Sequence, residues 1–68
     1  MQCGDIVKTA GTGWWYMRTR NGQILLSSSD TVRVDRIISQ EEGIIFVTDI
    51  TNFNVGTVDL PEYTFVII

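Results

Sequence analysis

Residues 11–22 read Gly11-Thr12-Gly13-Trp14-Trp15-Tyr16-Met17-Arg18-Thr19-Arg20-Asn21-Gly22, followed by Gln23-Ile24-Leu25-Leu26-Ser27. The stretch holds both tryptophans, one of two tyrosines, two of five basic residues and three of six glycines. Trp14 to Thr19 is aromatic and polar with little helical spacing, and Asn21-Gly22 is a strong tight-turn pair. The reading is a hairpin in which Trp14–Arg20 runs out and Gln23–Ser27 runs back. In a strand, neighbours point to opposite faces, so Trp14 and Tyr16 share one side and Trp15 takes the other.

Outward from this hairpin almost every segment reads as strand. Ile6-Val7-Lys8-Thr9 is rich in β-formers. Thr31–Ser39 sets Val32 and Val34 against Arg33 and Asp35, the alternation of a half-buried strand. The pair Ile37-Ile38 breaks that period and predicts a bulge near Arg36. Ile44-Ile45-Phe46-Val47 is continuous and apolar, as for a central strand covered on both faces. Val55–Asp59 and Thr64–Ile68 complete the set, with Leu60-Pro61-Glu62-Tyr63 as one helical turn, because proline suits a helix start. No stretch has the spacing of an amphipathic α-helix. The expected fold is all-β, a small closed or nearly closed barrel of five or six strands, since closure removes exposed edges.

The chain has 68 residues, enough for one small domain over 1–68. It has no histidine and one cysteine, Cys3, which excludes an internal disulfide and a structural zinc site of the usual ligands. Met1–Asp5 lacks the basic and apolar regions of a signal peptide, and no apolar run nears the ~18 residues of a membrane span, so a cytoplasmic protein is expected. Net charge is -3. Residues 1–36 carry +2 and residues 37–68 carry -5. In a barrel the halves interleave, so the two signs are expected to mix in space.

The order of segments resembles the Src-homology-3 family: a first strand, a long irregular hairpin loop, a diverging turn, three meander strands, a helical turn and a short last strand. Leu25-Leu26-Ser27-Ser28-Ser29-Asp30-Thr31-Val32-Arg33-Val34 is similar to that family's "L-S-F-x-x-G-D-x-I-x-V". Gly56-Thr57-Val58-Asp59-Leu60-Pro61-Glu62-Tyr63-Thr64-Phe65-Val66 is similar to its terminal "G-x-I-P-x-N-Y-V". The resemblance implies the barrel architecture, with Gly11–Gln23 as the long loop. It departs at the ligand groove: Ile44 and Ile45 stand where the family has paired tryptophans, and Arg18 and Arg20 replace the acids of its long loop. Recognition of proline-rich peptides is therefore not implied.

Among residues that carry chemistry, Trp14, Trp15, Tyr16, Arg18 and Arg20 form the candidate partner-binding set, because Trp, Tyr and Arg are the residues most over-represented at binding hot spots. The competing structural reading has the rings cap the open end of a small barrel. The expected function is a non-catalytic protein-binding module, an accessory subunit or inhibitor of the kind encoded by phages and mobile elements, docking on a larger protein. The alternative is a nucleic-acid-binding barrel that stacks bases on Trp14 and Trp15 with Arg18 and Arg20 at the phosphates; an isoelectric point of about 4.5 weighs against it. No nucleophile-and-base pair is suggested, and no cofactor or metal is expected. The uncharged run Tyr63–Ile68 must be paired, either within the barrel or across a homodimer interface.

Overall fold

A computed structural model describes all residues 1–68. It is all-β with seven strands: β1 (Ile6–Thr9), β2 (Trp14–Thr19), β3 (Gly22–Ser27), β4 (Val32–Ser39), β5 (Ile44–Asp49), β6 (Val55–Asp59) and β7 (Phe65–Ile67), with one 3₁₀ turn over Glu62–Thr64 before β7. All pairings are antiparallel, in the order β3-β2-β6-β5-β4-β1-β7. No helix is long and apolar enough to cross a membrane.

The expected count of five or six strands is corrected to seven. Residues 11–23 are no irregular loop: β2 and β3 pair regularly from Trp14↔Ser27 to Thr19↔Gly22. The reversal is made by Arg20 and Asn21, one residue earlier than Asn21-Gly22, and Gly22 alone takes a positive φ, of 121°. A turn followed by a positive-φ glycine needs no left-handed asparagine, so the register slides by one. The helical turn likewise begins after Pro61, whose φ of -55° leads into it.

The sheet is a curled half-barrel, not a closed one, and β3 and β7 are its two edges. Its curl nevertheless brings the ends together. The Trp15 ring on β2 meets Phe65 on β7 edge-on, with centroids 6.4 Å apart. β7 pairs on one side with β1, from Val7↔Ile67 to Thr9↔Phe65, and its outer edge is open.

The concave side holds the core: Val7, Trp15, Met17, Leu26, Val32, Val34, Ile45, Val47 and Val58, with Ile24, Ile37, Leu60 and Phe65 packed against it. Strict alternation supplies it, as in β2, where Trp15 and Met17 are buried and Trp14, Tyr16 and Arg18 are exposed. β5 is the middle strand of the sheet and is covered fully on one face; on the other Thr48 is buried while Ile44 and Phe46 are half-buried. The period of β4 breaks as expected, with register shifts between Val34 and Arg36 and between Ile37 and Ser39.

β2 joins the rest of the sheet by a single register pair, Arg18↔Thr57 on β6. The approach there is close. Gly56 is buried, and a Cβ on it would overlap the Arg18 carbonyl and lie 3.1 Å from Met17 Cγ. Because the obstacle is backbone, it cannot swing aside. Gly56→Ala is predicted to destabilise by about 2 kcal/mol, or roughly 10 °C in Tm for a domain of this size. Thermal denaturation checks this, and a drop below about 3 °C would contradict the close approach.

Candidate functional site

The alternation of β2 divides the five sequence-predicted residues. Trp14 is 69% and Tyr16 60% exposed, and Arg18 lies on the same outward face. Arg20 is exposed at the hairpin turn, outside the strand. Trp15 is corrected: at 6% exposure it belongs to the core, with its indole N–H donating to the Ser27 carbonyl at 3.1 Å. A buried indole needs a partner for that donor, and the cross-strand carbonyl supplies it. Trp15 therefore positions the hairpin and presents nothing to a partner.

The outward face extends beyond the residues that sequence reasoning identified. Tyr16 and Arg18 on β2, Gln23 on β3, Ile44 on β5, and Thr57 and Asp59 on β6 line one cleft of about 330 Å³. The cleft lies at the β2–β6 junction, where the two strands share one register pair, Arg18↔Thr57. Leu25, directly opposite Tyr16, is 49% exposed and widens the apolar part. Register also defines a row across the strands: Gln23, Arg18, Thr57, Phe46, Arg36. No local signal in the sequence shows that Phe46, Thr57 and Arg36 stand beside Arg18, since their proximity depends on pairings between distant segments.

The charges on this face are not equivalent. Arg33 Nε donates to Asp35 Oδ1 at 2.8 Å, and the Thr48 hydroxyl donates to Asp35 Oδ2. Arg18, Arg20 and Arg36 make no ion pair, and Asp59 makes none. Arg33 is thus committed within the fold while Arg18 and Arg36 are free. Nowhere do three His, Cys, Asp or Glu side chains converge in a group able to hold a metal ion.

A second feature escaped sequence reasoning. Phe53, in the β5–β6 connection, has φ 58° and is 79% exposed. A bulky side chain in the left-handed region is a true outlier and persists only where its surroundings impose it. Asp49 imposes it: its buried carboxylate accepts the Thr51 N–H at 3.1 Å and the Asn52 Nδ2 at 3.4 Å, and its carbonyl accepts the Phe53 N–H at 2.7 Å. The flanking Asn52 and Asn54 were the only hint, as turn formers.

Asp35 gives a test of the charge arrangement. Burial alone would raise its pKa, but hydrogen bonds from Thr48 and Arg33 and the Arg33 charge outweigh it and hold the carboxyl below its ordinary 3.8. A depressed folded pKa adds stability that is present above 3.8 and lost as pH falls through the folded value. Asp35→Asn is therefore predicted to be less stable than the parent at neutral pH, with the gap closing as pH falls below 3.8. Urea denaturation from pH 6 to pH 2 reads the gap; a constant or widening gap would contradict the network.

Set against known proteins, the chain matches no protein-family model, no curated protein and no solved structure.

Proposed function

We propose that this chain is a non-catalytic protein-binding module, a small barrel of the Src-homology-3 type whose β2–β3 hairpin docks on a larger protein as an accessory subunit or inhibitor. The observation that carries this reading is the exposure of Trp14 and Tyr16 on a regular strand whose intervening residues, Trp15 and Met17, are buried. An aromatic side chain has few torsions to fix, so little side-chain entropy is lost when a partner covers it. Arg18 and Leu25 beside them complete the mixture of aromatic, aliphatic and guanidinium groups typical of binding hot spots.

Support for the barrel type is the order of elements: first strand, hairpin, three-strand meander, 3₁₀ turn and short last strand. A proline-rich ligand is disfavoured, since Ile45 lies in the core and Ile44 is half-buried where an aromatic groove would be needed.

The test is affinity capture from the native host, followed by binding of the captured partner to a Trp14→Ala/Tyr16→Ala variant. Both side chains are exposed, so the variant is expected to fold and to lose at least about 2 kcal/mol of binding, roughly thirtyfold. A folded variant that binds every partner with parental affinity would sink the proposal.

A further inference from the structure

We infer that the outward face of β2–β6–β5–β4 accepts an extended, acidic polypeptide segment that lies across the strands with carboxylates four residues apart. The inference rests on the protein-binding reading and adds the chemistry of the partner.

It follows from the row Arg18–Thr57–Phe46–Arg36. Arg18 and Arg36 are exposed and unpaired, whereas Arg33 is neutralised by Asp35. They stand three strand spacings apart, about 14 Å at the usual ~4.8 Å per strand. Four residues of extended chain span about 13 Å, so a segment crossing the strands sets two carboxylates over the two guanidiniums. Between the arginines the surface is Thr57 and half-buried Phe46, with Ile44 at the cleft wall. That floor suits β-branched or small apolar residues between the acids. Arginine is the cation best matched to carboxylates, through its planar fork of donors.

Charge complementarity chooses this occupant over a nucleic acid. Asp59 lines the same cleft and is unpaired, so a continuous phosphate backbone would be repelled where separated carboxylates are not. Only two free cations lie in the row, too few for the release of phosphate counterions to drive polyanion binding.

The probe is a blocked, fluorescein-labelled peptide with a core of Glu-Val-Thr-Val-Glu. It is compared with its Lys-Val-Thr-Val-Lys counterpart, an isomer with adjacent glutamates, and a twelve-residue thymidylate. Anisotropy is read at low salt. The spaced-glutamate peptide is expected to bind at least about tenfold tighter than each of the other three, and Arg18→Gln and Arg36→Gln each to weaken it about tenfold, the scale of one charged hydrogen-bonding contact. Equal binding of the two glutamate isomers, insensitivity to either arginine variant, tighter binding of thymidylate, or no binding of the spaced peptide would each overturn the inference. A host partner that needs Trp14 and Tyr16 but ignores Arg18→Gln and Arg36→Gln would remove this inference and leave the protein-binding reading intact.

Discussion

The structure depends on how β2 is fastened to a sheet it touches through one register pair. The one or two backbone hydrogen bonds of a lone bridge net only about 1 kcal/mol each, too little to fix the Trp14–Ser27 hairpin. The burial of Trp15 is a larger effect. An indole covering about 200 Å² is worth up to roughly 5 kcal/mol at 25 cal/mol per Å², and Met17 adds about 2 kcal/mol. Gly56 makes that burial geometrically feasible, since only a residue without Cβ lets the β2 backbone come down on β6. The T-shaped contact of Trp15 with Phe65 then ties the hairpin to the far end of the sheet. Anchoring and curling are one event.

Everything proposed about function follows from that fastening. With Trp15 and Met17 inside, strand geometry leaves no choice but to place Trp14, Tyr16 and Arg18 outside. The cleft lies beside them at the β2–β6 junction. The bulge in β4 sets Arg36 opposite Phe46, at the far end of the same row. Internal pairing of Arg33 with Asp35 separates a structural cation from Arg18 and Arg36, which are unpaired on the same face of a chain that is acidic overall.

Much of the fold was legible in the residues, for local reasons. Ile6–Thr9 is rich in β-formers and Val55–Asp59 is bounded by turn residues, and both match their strands. The doubled isoleucine at 37 and 38 announced the irregularity of β4. Other features were hidden because they are non-local. Alternation gives the parity of Trp14 and Trp15 but not which one faces inward; that sign is set by β6 and β7, which begin 40 and 50 residues further along the chain. The turn slipped from Asn21-Gly22 to Arg20-Asn21 because a glycine after the turn does the work of one within it. Nothing in the residues beside them marks Gly56 as a close approach or Asp49 as buried. Close approach, burial and left-handed backbone are properties that pairing confers.

The central claim is that β2 sends Trp15 into the core and Trp14 to the surface. Hydrogen exchange of the two indole N–H groups, followed by NMR in heavy water, tests it most directly. The account predicts one slowly exchanging indole, that of Trp15 bonded to the Ser27 carbonyl, and one that exchanges at the rate of free tryptophan. Two protected indoles, two unprotected ones, or protection that disappears in Trp14→Phe instead of Trp15→Phe would contradict it.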